Sequence, residues 1–127
     1  MLASQSSRKP ILLVDDDQEI RDSMASALVR EGYAVAAASD GADALNQLEG
    51  GLSPCLILLD LMMPRKDGYE FRREQLSNPR LAAIPTLAIS ASRQLLERAQ
   101  GLGFADVVRK PLRVDKLREL VDSHRLR

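Results

Sequence analysis

At 127 residues, with 45% hydrophobic and 28% charged residues, the chain is sized for one domain with a real core, which excludes a disordered or fibrous protein. Eighteen basic residues offset eighteen acidic ones, so no global field gathers nucleic acid or draws the chain onto an anionic membrane, and any charge-based function must be local. A single cysteine, Cys55, excludes an internal disulfide framework, fits a reducing cytoplasm and reads as a small buried hydrophobe.

Residues 1–9, "MLASQSSRK", lack the apolar core of a secretory signal, and no run approaches the ~20 apolar residues of a membrane span. They are expected to form a flexible tail ahead of a domain over residues 10–127. From there short apolar runs alternate with stretches of helical periodicity, the pattern of βα units around a parallel sheet. "ILLVD" (11–15) is the first strand. Asp17 is expected to cap a helix whose stripe is Ile20, Met24, Ala27 and Leu28 and which Gly32 ends. "YAVAAA" (33–38) reads as a second, weaker strand. Asp40 caps the next helix, with Ala44, Leu45 and Leu48 inward and Gly50-Gly51 as its stop. "CLILLD" (55–60) is apolar up to its last residue, so both faces must be covered, as in a central parallel strand.

A loop, "MMPRKDG", follows, and Asp67 with Glu70 makes a capping box for a helix from Gly68 to about Leu76. That helix is poorly amphipathic, with arginines at 72 and 73. "IPTLAIS" (84–90) is the fourth strand, and residues 92–102 form a helix with Leu95, Leu96, Ala99 and Leu102 on one side. "FADVVRK" (104–110) is the fifth strand, broken by Pro111, and Val114, Leu117, Leu120 and Val121 mark the last helix. The fold expected is α/β, five parallel strands with helices on both faces.

Ligands bind open parallel sheets outside the carboxyl ends of the strands, beside the point where strand order reverses. The first strand ends in Asp15 and Asp16, the third in Asp60, the fourth in Ser90 and the fifth in Lys110. Each alone reads as a cap, a turn residue or a solvated charge; together they crowd one edge. Carboxylates at ~4 Å repel by about 4 kcal/mol per pair at an effective dielectric near 20, so such a cluster calls for a cation. Oxygen donors without His or Cys suit a hard ion such as Mg²⁺.

The ordered set "LLVDD", "LLDLMMPRKDG", "AISA" and "VVRKP" resembles the receiver domain of two-component response regulators, from about Lys9 to Leu126. The resemblance implies a doubly wound, flavodoxin-like sheet of strand order 2-1-3-4-5. It also implies that Asp60 accepts a phosphoryl group from a sensor histidine kinase or a phosphotransfer protein. Mg²⁺ would be held by Asp16, by Asp15 mostly through water, by Asp60 and by the carbonyl of Met62. Lys110 and Ser90 would meet phosphoryl oxygens, and a cis bond before Pro111 would aim Lys110 inward.

In the family an aromatic residue on the fifth strand turns inward on activation, whereas this chain carries Val107, so that readout is expected to be absent or muted. The implied output surface is the fourth predicted helix (92–102), the fifth strand and the last helix, serving a homodimer or an effector contact. Met62, two residues after Asp60, cannot orient water by charge, which predicts slow to intermediate loss of the phosphoryl group. His124 reads as a helix-end residue without a flanking acidic partner.

A haloacid-dehalogenase-like phosphatase would use Asp15 as nucleophile and Asp17 as acid/base, but it leaves Asp60 without a role and lacks a paired acidic motif after Lys110. A flavodoxin-like binding module would need Gly, Ser or Thr after the first strand, where three aspartates stand. The sequence stops after the last helix, so no separate output domain is expected within it.

Overall fold

Short apolar runs bounded by Pro, Gly and Asp are too brief for helices, and the intervening segments repeat their apolar residues at helical spacing. The computed structural model, which describes residues 9–63 and 66–126, turns this pattern into alternating strands and helices. The strands are β1 (Ile11–Val14), β2 (Val35–Ala38), β3 (Leu56–Asp60), β4 (Thr86–Ser90) and β5 (Asp106–Arg109). The helices are α1 (Gln18–Arg30), α2 (Gly41–Glu49), α3 (Gly68–Leu76), α4 (Pro79–Ala82), α5 (Arg93–Ala99) and α6 (Val114–His124). All strand pairs are parallel and the sheet runs β2-β1-β3-β4-β5, the order the family resemblance implied. The tail expected over residues 1–9 lies outside the described residues except for exposed Lys9, as do Pro64 and Arg65 of the "MMPRKDG" loop.

Every residue of β1, β3 and β4 is buried, while the edge strands β2 and β5 are mostly half-buried. Alternation along the strands divides the core in two. Leu12, Val14, Ile57 and Leu59 pack with Ala44, Leu48 and Phe71 on one face. Ile11, Leu13, Leu56 and Leu58 pack with Leu28, Leu117 and Val121 on the other. Cys55 is buried in this second layer, as expected of a small hydrophobe.

The expected caps form. Asp17 accepts from the Ile20 amide, Asp40 from the Asp43 amide, and Asp67 and Glu70 close a capping box at the start of α3. Gly32 leaves α1 at φ 94°, a left-handed turn that a side chain would strain.

Several boundaries differ from those the sequence predicts. α5 covers 93–99 rather than 92–102, because Ser92 caps it and the chain turns at Gly101 with φ 91°, leaving Leu102 exposed. The strands lose their outermost residues, and Val114, at the first turn of α6, is exposed. In α1 only Ala27 and Leu28 are fully buried, since the stripe runs past the sheet and leaves Ile20 over the strand ends. α4 was not predicted: it is a single turn with Pro79 at its first position and Asn78 as cap, too short to show a period.

The arginine that spoils the amphipathic pattern of α3 is not on its solvent face. Arg72 is buried, donates to the carbonyls of Leu102 and Gly103 and to Gln75 Oε1, and lies over the Phe104 ring. Fully buried Gln75 in turn donates to Leu81 O, Ile84 O and Thr86 Oγ1. This polar network ties α3 to the segment that leads into β5.

Candidate functional site

The register of the sheet decides which side chains meet. Val14 pairs with Leu59, so the next residues, Asp15 and Asp60, leave β1 and β3 side by side. Asp60 pairs with Ile89, which brings Ser90 to the same rim, and Ser90 pairs with Arg109, which puts Lys110 one step beyond. The parallel arrangement therefore collects Asp15, Asp16, Asp60, Ser90 and Lys110 at one edge, as the sequence predicts.

Burial divides the cluster. Asp15, Asp60 and Ser90 are 2%, 6% and 1% exposed, whereas Asp16 faces solvent. One carboxylate oxygen from each of Asp15, Asp16 and Asp60 lies within 4.8 Å of the others. Lys110 Nζ donates to Asp15 Oδ2 at 2.8 Å and stands 3.5 Å from Asp60 Oδ2. Asp60 Oδ1 accepts from the Met62 amide at 3.2 Å, and Asp15 Oδ1 accepts from the Asp17 amide at 2.9 Å. Ser90 Oγ accepts from the Ser92 amide at 3.0 Å. The peptide bond between Lys110 and Pro111 is cis. A cleft of about 510 Å³ opens above these groups, walled by Asp16, Ile20, Met62 and Met63 with Asp60, Ser90 and Lys110 at its base. The Met62 side chain is 61% exposed beside it.

Electrostatics follow from the geometry. Burial pushes the Asp60 carboxyl up to about 6; Lys110 opposes the rise, Asp15 adds to it, the Met62 amide opposes it and Asp16 adds again. For Lys110 burial works against the ammonium, but Asp15 and Asp60 outweigh it and the pKa is raised. One ammonium does not balance three carboxylates, so the cleft keeps a negative surplus. An oxygen-only donor set open to solvent on the Asp16 side fits a small hard dication and gives a soft metal no ligand.

Two features were not legible in the sequence. Lys110, expected at a phosphoryl oxygen, is held by Asp15. Arg21, one turn into α1, donates to the Asp15 carbonyl at 2.7 Å and fixes the end of β1. Nothing in the spacing "DDDQEIR" marks that arginine, because its partner is a backbone atom. His124, read as lacking an acidic partner in sequence, lies 3.4 Å from Asp106 Oδ2 across the fold.

The geometry also weighs against the other readings. Asp17, the acid/base of a phosphatase mechanism, is occupied as the α1 cap. The rim after β1 presents carboxylates where an anion-cradling loop would need free N–H groups.

Among proteins of known sequence, the transcriptional regulatory protein GltR of Pseudomonas aeruginosa is 41% identical over 108 residues, covering 81% of this chain and 43% of that protein. The response regulator MprA of Mycobacterium avium is 38% identical over 109 residues, covering 84% of this chain and 46% of its own. The chain thus spans less than half the length of these relatives. Among solved structures, a response regulator receiver protein from Pseudomonas putida superposes with a TM-score of 0.84 at 27% identity, covering 92% of this chain and 98% of that one. The response regulator TrrA of Thermotoga maritima, in complex with Mg²⁺-BeF, gives 0.78 at 28% identity over 91% of this chain and 97% of that one. The family model for the response regulator receiver domain matches residues 11–122, and with the strand order and the acidic rim it establishes that the chain belongs to the receiver domain family of two-component response regulators.

Proposed function

We propose that the chain is a phosphoacceptor: Asp60 takes a phosphoryl group from a phosphohistidine of a sensor histidine kinase or a histidine phosphotransfer protein. The observation that carries this reading is the position of Asp60, buried at the base of the cleft with Lys110 on one side and two further carboxylates within 4.8 Å. Asp60 attacks phosphorus through a carboxylate oxygen; the phosphorus–nitrogen bond breaks and the histidine nitrogen leaves with its electron pair. Lys110 leaves Asp15 to meet a phosphoryl oxygen as a point charge. The Ser90 hydroxyl, which holds the Ser92 amide before phosphorylation, turns to donate to another.

Asp15, Asp16, Asp60 and the Met62 carbonyl are the groups that would hold Mg²⁺. When bound, the ion withdraws charge from the phosphoryl oxygens and relieves the surplus of the three carboxylates. Before phosphorylation Lys110 spans the carboxylates of Asp15 and Asp60. Met62 offers the attacking water no charged side chain, so the phosphoryl group is lost at a slow to intermediate rate. The chain acts on no external substrate; its product is its own phosphorylated form, read by a cytoplasmic partner or a second copy through α5, β5 and α6.

Incubation with Mg²⁺ and a small acyl phosphate, followed by intact mass measurement, tests the reading. The wild-type chain is expected to gain one phosphoryl group and Asp60→Asn none. Labelling that survives in Asp60→Asn would falsify the assignment of the nucleophile.

A further inference from the structure

Val107 has no ring, yet an aromatic side chain does stand where β5 meets α5, and it comes from another element. Tyr69, the second residue of α3, packs in an apolar cluster with Leu61, Leu95, Leu96 and Val107. Its hydroxyl donates to the Leu95 carbonyl in α5, and the Arg98 guanidinium lies 4.9 Å from its ring centroid.

The root of Tyr69 is coupled to the phosphoacceptor. Gly68 donates to Leu61 O at 3.2 Å, and a Cβ on it would come within 2.7 Å of Leu61 Cα and 3.0 Å of Asp60 O. The backbone that carries Tyr69 therefore lies directly on the backbone that carries Asp60, with no slack between them.

The other end of the contact is a weak element. α5 is seven residues long, too short to hold itself together in water. Besides the backbone bond from the Leu96 amide to Ser92 O, three side-chain bonds support its first turn: Ser92 Oγ accepts from the Leu95 amide, Ser90 Oγ accepts from the Ser92 amide, and Tyr69 holds the Leu95 carbonyl. One of these belongs to Ser90, at the base of the cleft, and one to Tyr69.

We propose that Tyr69 replaces the missing ring of β5 as the residue that transmits the state of Asp60 to α5, and that its hydroxyl bond to Leu95 O is the contact that changes. This rests on the phosphoacceptor reading of Asp60. Phosphorylation turns the Ser90 hydroxyl proton toward the phosphoryl group, its oxygen still accepting from the Ser92 amide, and displaces the Asp60–Leu61 backbone against Gly68. The Tyr69 hydroxyl then parts from Leu95 O, and the first turn of α5 loosens. Tyr69 touches no reacting atom; it is a positioning residue.

Hydrogen exchange over residues 93–100, with and without Mg²⁺ and acyl phosphate, tests this in the wild type, Tyr69→Phe and Arg98→Gln, with intact mass on the same samples. Wild-type α5 amides are expected to exchange about fivefold faster on phosphorylation, the change that loss of one net hydrogen bond corresponds to. Tyr69→Phe keeps the ring and the packing. It is expected to take the phosphoryl group as fully as the wild type, to exchange about fivefold faster before phosphorylation, and to respond less than about twofold after it. Arg98→Gln leaves the hydroxyl in place and is expected to keep the phosphorylation response.

A Tyr69→Phe chain with wild-type exchange and a full response overturns the proposal, as does an Arg98→Gln chain that loses the response equally, which would put the effect in the ring stack. If the wild type takes no phosphoryl group, the phosphoacceptor reading fails first and takes this inference with it; a labelled wild type with an unaltered variant sinks this inference alone.

Discussion

The half of the sheet around β1 and β3 and the half around β4 and β5 meet at the same rim but are held differently. Asp15 and Asp60 stand on two fully buried strands whose side chains feed both core layers, and Arg21, Lys110 and the amides of Asp17 and Met62 fix them further. β5 is a half-buried edge strand of four residues, and the helix before it has seven. Its support comes from a distance, through Arg72, Gln75 and Tyr69 of α3. The carboxylates sit on the rigid half, with Lys110 reaching them from the end of β5; a response that needs movement sits where few contacts resist it.

The largest effect that tests this contrast is chemical. Asp60→Asn is expected to abolish phosphoryl uptake while Ser90→Ala, on the other half, leaves the chain able to be labelled and alters the change in α5. A Ser90→Ala chain that cannot be labelled at all would move Ser90 to the chemical side of the comparison.

Arg72→Ala is expected to come next, at about 3 kcal/mol of lost stability, because it strips two backbone carbonyls and Gln75 Oε1 of a buried charged donor. Urea unfolding reads the loss, and exchange should show it concentrated in residues 100–109. A uniform loss across the sheet would mean that the β5 half has no separate support.

The charge on the rigid half should carry a measurable cost. Asp60 has its native pKa raised to about 6, above the unfolded value near 4, so the ionised form is disfavoured in the native state. That penalty is absent below about pH 4, grows as pH rises through the window to about 6, and is full at neutral pH. Asp60→Asn is therefore expected to stabilise the metal-free fold by about 2 kcal/mol at pH 7 and by nothing at pH 4. Mg²⁺ should stabilise the wild type and lose that effect in the variant. A variant no more stable than the wild type at neutral pH would remove the claim of strain.

The smallest expected effect is Asp67→Ala, at about 1 kcal/mol for the lost capping box. It loosens the start of α3 and so should weaken the grip of Tyr69 on α5 without touching the core.

The rigid half was also the readable half. "ILLVD" and "CLILLD" announce buried strands and the residues at their ends, because burial on both faces leaves an unbroken apolar run and parallel pairing does the rest. In the β5 half "IPTLAIS" and "FADVVRK" read as strands and 92–102 as a helix, but the supports of that half did not show. Arg72 stood out only as a break in the amphipathic pattern of its helix, because its backbone partners are carbonyls about thirty residues away. Tyr69 looked like one more helix residue, because the cluster it joins is assembled from four elements. α4 has no periodicity to detect.

The edge strand β5 begins with Asp106 and ends with Arg109, and Asp106 is paired with His124. A foreign strand adding to this side would have to strip water from opposite charges at both ends of a run only four residues long. Two copies that approach one another here are thereby steered away from backbone zipping and amyloid-like growth, and toward contacts written in side chains.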